Sequence, residues 1–137
     1  MKAAKVPLLV ADAADEEALG RLCGQGRVVI STVGPYALYG EPLVKVCAAS
    51  GTDYCDLTGE VQWIRRMLDR YEGKARASGA RIVHCCGFDS IPSDLGVHFL
   101  QQRAHERFGE PCNRVKMRVK SMRGGFSGGT VASMMNA

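Results

Sequence analysis

Apolar and polar positions fall into blocks whose period switches regularly along most of this chain. Residues 6–11 are a short apolar run that predicts a strand. Asp15 follows as a helix N-cap, with Glu16 and Glu17 in the first turn, where the helix dipole favours acid. Ala18, Leu19 and Leu22 carry that helix to a stop at Gly24. The block 27–31 holds Val28, Val29 and Ile30 in succession, the pattern of a strand buried on both faces. Residues 32–35 break it, and Glu41-Pro42 opens a helix with proline in its first turn. Leu43, Val46, Cys47 and Ser50 share one face of this helix, which ends at Gly51.

A third strand is predicted over 52–57, leading into Thr58-Gly59-Glu60. The next helix has the clearest pattern: Val61, Ile64, Leu68, Tyr71 and Ala75 form an apolar stripe, Trp63 lies off it, and Gly79 closes the helix. With Leu68 at mid-stripe, Leu68→Ala is expected to cost about 2–5 kcal/mol. Residues 80–85 read as a fourth buried strand, 87–94 as a polar loop with Ser93 or Asp94 as cap, and a last helix runs to about Phe108. Strand and helix thus alternate four times, which predicts an α/β fold, a parallel sheet with helices on both faces.

After Glu110-Pro111 the period changes. Val115, Met117 and Val119 alternate with Lys116, Arg118 and Lys120, a strand buried on one face only, which belongs to a different layer. A domain boundary is therefore placed near 110–113, dividing the chain into 1–110 and 111–137. The second part holds one strand, a glycine-rich turn and the start of a helix, the opening of an α+β domain.

Composition narrows the class. With 137 residues, 46% hydrophobic and 23% charged, the chain suits one ordinary globular domain rather than a disordered or fibrous one. No apolar run approaches the roughly 20 residues of a spanning helix, so no integral membrane segment is expected. Lys2 and Lys5 before an apolar run imitate an export signal, but the run is too short and ends in acid. The net charge of +4 comes from one end: residues 111–137 hold Arg114, Lys116, Arg118, Lys120 and Arg123 and no acid. A short basic segment without interleaved aromatics does not predict a nucleic-acid partner.

Six cysteines (Cys23, Cys47, Cys55, Cys85, Cys86 and Cys112) include no C-x-x-C pair. Only His84-Cys85-Cys86 is clustered, and neighbouring strand residues point to opposite faces, so no metal site is expected. Small buried thiols, reduced and with no export signal, point to the cytoplasm.

In open α/β sheets ligands bind at the carboxyl ends of the strands. Three loops qualify: 31–36, where Gly34 lets backbone approach a flat ligand; 56–60; and 87–94. No G-x-G-x-x-G follows a strand, since Gly24 and Gly26 precede one. Residues 124–130 run from a strand toward a helix but lack a P-loop lysine. No Ser-His-Asp order, G-x-S-x-G or H-E-x-x-H occurs, and His98 and His105 read as solvated helix residues.

Three segments carry a family resemblance: 29–46 (beginning Val29-Ile30-Ser31-Thr32-Val33-Gly34-Pro35-Tyr36), 53–60 (Asp53 to Glu60) and 86–96 (Cys86-Gly87-Phe88-Asp89-Ser90 onward). Together with 124–133 they resemble the saccharopine dehydrogenase-like oxidoreductases, in the branch that includes trans-acting enoyl reductases. The resemblance implies a Rossmann-like cofactor domain followed by an α+β substrate domain, with NADP or NAD as cofactor. It implies hydride transfer to a carbonyl or enoyl group of a small-molecule or acyl-chain substrate; a sheet edge left exposed favours association, so a homo-oligomer is expected. By position, the resemblance places Asp12 near the adenine side. Thr32, Val33, Gly34, Pro35 and Tyr36 would pass along the dinucleotide, and Gly87, Phe88, Asp89 and Ser90 would lie toward the nicotinamide. Tyr36, Asp56 and Asp89 are candidate proton donors, each with a structural role as the competing reading. Family members begin with a βα unit carrying a glycine-rich phosphate loop, whereas this sequence begins after it. It therefore reads as an internal fragment or a truncated reading frame. The 137 residues alone are expected not to catalyse hydride transfer, and the rival reading is a non-catalytic remnant or partner-binding fragment.

Overall fold

The computed structural model describes residues 7–121, 123–125 and 127–136. Its element order is α1 (Glu16–Cys23), β1 (Val28–Ser31), α2 (Tyr36–Tyr39), α3 (Glu41–Ser50), β2 (Asp53–Asp56), α4 (Val61–Ser78), β3 (Ile82–Val83), α5 (Ile91–Phe108) and α6 (Gly128–Asn136). The three strands form one parallel sheet in the order β1-β2-β3, with Val29 beside Tyr54 and Tyr54 beside Ile82. The class is α/β, as the alternation predicts.

The distribution of helices differs from the expectation. Val29, Tyr54 and Ile82 face a core shared with α3 and α4, to which α1 adds Cys23. On the opposite face Val28 is 51% and Ile30 is 69% exposed, so β1 is covered on one side only. Its unbroken β-branched run does not mean burial on both faces here, because among the described residues no helix layer packs on that side. Helix α5 buries only Ala104, and Leu95 and Phe99 on it are exposed.

Two predicted strands are absent from the described residues. Residues 7–11 form no strand, with Leu8 and Val10 exposed (Val6 lies outside the described residues). Residues 115–119 likewise form no strand, and Met117 and Val119 are exposed. In both segments the apolar pattern is present, but no neighbouring strand takes up the backbone N–H and C=O groups that a ladder must pair. The fourth predicted strand survives as Ile82–Val83 alone.

Helix ends follow their capping chemistry. Asp15 Oδ1 accepts from the amides of Glu17 and Ala18, both at 3.0 Å. α3 and α4 end on Gly51 and Gly79 in the left-handed conformation that glycine adopts without strain. The cap of α5 is Ser90 rather than Ser93 or Asp94, because Ile91-Pro92 already occupy its first turn. The side chain of Gln101 then grips the turn beyond α5, through Cys112 N (2.7 Å) and Cys112 O (2.8 Å).

The buried faces of α3 and α4 are rotated from the predicted ones. On α3 they are Val44, Cys47 and Ala48, with Leu43 and Val46 half-buried and Ser50 exposed. On α4 they are Trp63, Met67, Tyr71 and Ala75, a strict four-residue spacing, while Val61 and Leu68 face solvent. Cys23 and Cys47 meet between α1 and α3 with their sulfurs 3.6 Å apart, and burial pushes the Cys47 thiol up.

Two surface carboxylates tie elements together. Asp53 at the start of β2 accepts from the Arg81 amide (2.9 Å) and guanidinium, which hold its carboxyl below the usual range. Glu41 accepts from the Tyr71 hydroxyl (2.7 Å) and from Arg70, and is lowered by them in that order. Groups with a depressed folded pKa stabilise fully above their unfolded value and lose that contribution as pH falls through the folded one. The unfolding midpoint is therefore expected to drop as pH is lowered from about 4–5 toward 3. Asp53→Asn with Glu41→Gln should flatten that slope in a thermal titration; an unchanged slope would show that these pairs do not contribute.

Candidate functional site

The carboxyl ends of the three strands open onto one cavity of about 640 Å³. The loop after β1 supplies Thr32, Gly34 and Tyr36. The loop after β2 supplies Leu57, Thr58, Gly59 and Glu60, and the segment after β3 supplies Gly87, Phe88 and Asp89. The fourth wall is Arg123, Gly124 and Gly125 with the first turns of α6, including Ser127, Thr130 and Ser133.

A web of buried polar groups under the cavity fixes the loops. Asp56 is fully buried, and its carboxylate takes four contacts. Oδ2 receives the Tyr54 hydroxyl (3.0 Å) and His84 Nδ1 (2.6 Å), and Oδ1 receives the amides of Thr58 and Cys85, each at 3.1 Å. That carboxylate joins the β2 loop to the β3 loop. Glu60 joins the β2 loop to the β1 loop, accepting from the amides of Tyr36 (2.9 Å) and Ala37 (2.7 Å). The Tyr36 hydroxyl donates to Ser31 O (3.0 Å) and accepts from Leu57 N (3.2 Å). Burial raises its pKa, the Leu57 amide opposes this, and the Asp56 and Glu60 charges add to the rise.

These contacts sort the proton-donor candidates. The Asp56 carboxylate is saturated by four donors beneath the floor and does not line the cavity. Tyr36 presents its ring while its hydroxyl is committed to backbone. Asp89 is the candidate whose carboxylate reaches the cavity surface, beside Gly59 and Gly87.

Of the predicted cofactor residues, Thr32, Gly34, Tyr36, Gly87, Phe88 and Asp89 are brought together. Val33 points away, half-exposed, and Pro35 is buried behind the loop, where it caps α2. Ser90 sits one residue beyond the lining, with its amide on Gly87 O (3.2 Å). Asp12 is not part of the site: it is exposed, and its Oδ1 accepts from Ala14 N (2.8 Å) in the turn before α1. Glu60 lies in the 56–60 loop that qualifies as a strand end but is not singled out by the sequence, and the α6 wall is not predicted. The alternation Asp56-x-Thr58-x-Glu60 was a signal for inward-facing polar side chains; nothing in the sequence signalled that α6 folds back onto this edge. His84 was another omission, with Nε2 buried and without a partner among the described residues.

A flat, polar-edged cofactor fits this lining. A Cβ at Gly34 would lie 3.0 Å from Ser133 Oγ, so glycine keeps open the narrow space between the β1 loop and α6. Hydroxyls at Thr32, Ser127, Thr130 and Ser133 offer hydrogen bonds, and Arg123 offers a positive charge at the α6 side.

Comparison with known proteins bears on what that cofactor is. No solved structure matches the chain. Rv2449c of Mycobacterium tuberculosis is 50% identical over 129 residues, covering 94% of this chain and 31% of its own length. Proteins named trans-acting enoyl reductase from Mycobacterium leprae (49% over 133 residues) and Mycobacterium ulcerans (46% over 132) each cover 96% of this chain. The chain spans 32% of the length of each of these two. Residues 2–83, which contain all of the β1 and β2 loops, match the family described as the saccharopine dehydrogenase NADP-binding domain. The parallel sheet, the glycine-lined cavity at its carboxyl edge and that match agree, and the chain belongs to the saccharopine dehydrogenase NADP-binding domain family.

Proposed function

We propose that this chain is the nicotinamide-side part of an NAD(P)-dependent oxidoreductase that transfers hydride to a carbonyl or enoyl group. The observation that carries the reading is the convergence of three strand-end loops and α6 on one cavity within a family of NADP-binding domains. The reduced nicotinamide, when bound, supplies the hydride; protein groups supply position and electrostatics. Gly34 and Gly87 admit the ring between backbone walls, Thr32 offers hydrogen bonds along them, and Asp89 lies at the surface of the nicotinamide end. Residues 1–110 form the cofactor part and 111–137 open the substrate part, from which α6 closes the cavity. An acyl-chain substrate follows from the names of the relatives, and a homo-oligomeric cytoplasmic protein is the accompanying expectation. Among the described residues no helix is long and apolar enough to cross a membrane.

Gly34→Val tests the site. A branched side chain there meets Ser133 and the Tyr36 ring, so NADPH or NADH affinity of the full-length protein in a nicotinamide fluorescence titration should fall by roughly tenfold or more. Equal affinity for a folded variant and the wild type would remove this cavity from consideration as the cofactor site.

A further inference from the structure

We propose that Glu60 is a positioning residue of the cofactor cavity, a buried carboxylate that clamps the Gly34–Tyr36 loop to the Thr58–Gly59 loop and thereby sets the width of the slot. The inference rests on the NAD(P) reading above. Glu60 lines the cavity yet is only 4% exposed. Both of its oxygens are used on one target, the first two amides of α2, which as helix-start donors have no partner within the helix. α2 has no side-chain cap from its own Pro35, so the cap comes from 23 residues downstream. Glu60 is itself anchored twice: its amide donates to Thr58 Oγ1 (3.1 Å), and its carbonyl accepts from Ile64 N (3.0 Å) at the head of α4. Thr58 in turn is held by Asp56. No ion pair to Glu60 forms among the described residues; its charge is met by backbone amides, the arrangement in which hydrogen bonds are strongest and most directional. A shift of this carboxylate would therefore move the loop that carries Gly34, and with it the narrow space between Gly34 and Ser133 of α6, relative to the Thr58–Gly59 lining.

The test uses two variants and two readouts. Glu60→Gln is isosteric but puts an amide NH₂ against one of the two backbone N–H donors, and Glu60→Asp keeps the charge but is too short to reach both. In hydrogen exchange followed by NMR without cofactor, the amides of Tyr36 and Ala37 should exchange at least roughly tenfold faster in both variants. Those of Thr58 and Cys85, held by Asp56, should be unchanged. NADPH affinity by fluorescence titration should fall roughly tenfold. Faster exchange spread evenly over the whole domain would show a general structural role and overturn the proposal. So would unaltered affinity in variants with loosened loops, or unaltered exchange. If the wild type bound neither NADPH nor NADH, the cofactor reading itself would fail and the positioning role with it. Failure of the clamp alone would instead show as wild-type binding matched by the variants.

Discussion

Trp63→Ala is expected to destabilise the domain by about 3–5 kcal/mol, the cost of removing a large aromatic from a site that cannot collapse to fill the space. Trp63 is 1% exposed. Its ring lies 5.4 Å from Tyr36 and 5.1 Å, edge to face, from His84, so it touches both the β1 loop and the residue after β3. The backbone of Gly40 approaches so closely that a Cβ there would sit 2.7 Å from Trp63 Cζ2 and 2.9 Å from Tyr36 O. Such surroundings are built of backbone and rings, which relax little. Leu68→Ala, by contrast, is expected to cost less than about 1 kcal/mol, because Leu68 is 40% exposed and its truncation leaves no cavity. Chemical denaturation of the two variants side by side separates the two possible faces of α4. Equal losses, or a larger loss for Leu68→Ala, would mean that α4 packs on the Val61–Ile64–Leu68 stripe after all.

The misplacement of that stripe shows where a single sequence stops being legible. Two overlapping sets of apolar residues run along α4, one starting at Val61 and one at Trp63, and periodicity alone counts them almost equally. Only the contact with Gly40, which admits the indole ring because it lacks a Cβ, decides between them. The same limit accounts for the lost strands. An apolar run states that a segment could enter a sheet, whereas pairing depends on a neighbour that residues 7–11 and 115–119 do not have among the described residues. Local chemistry was legible at most helix ends: Asp15, Gly24, Gly51 and Gly79 stand where a cap or stop was expected, whereas the start of α5 moved to Ser90.

The site was legible to the extent that it is made of strand ends. Parallel strands bring their carboxyl ends to one edge, so Gly34, Tyr36, Gly87 and Asp89 could be assembled from topology alone. Asp12 follows a segment that forms no strand among the described residues, and it does not line the cavity. The α6 wall depends on a return of the chain across the sheet edge, and no local pattern encodes such a return. The glycine-rich segment 124–130 suggested only a turn, and Phe126 within it lies outside the described residues.

Asp56→Ala is the second substitution expected to be severe, at about 3–5 kcal/mol, because it strands several buried donors at once. The carboxylate has no contact with solvent and collects the Tyr54 hydroxyl, His84 Nδ1 and two backbone amides from different loops. Alanine leaves all four without this acceptor. Asp56→Asn should cost much less, about 1–2 kcal/mol. Its remaining oxygen can keep the Thr58 and Cys85 amides, and its NH₂ can donate to Nδ1 once His84 adopts the other neutral tautomer. That change leaves the Tyr54 hydroxyl as the poorly matched group. It also moves the proton to His84 Nε2, which is buried without a partner among the described residues, and this sets a floor under the cost. Unfolding midpoints for the two variants should therefore be widely separated, and NMR of His84 in Asp56→Asn should show the tautomer exchanged. Equal stabilities for alanine and asparagine would mean that the hydrogen bonds to Asp56 do not hold the β2 and β3 loops together, and that packing alone shapes the floor of the cavity.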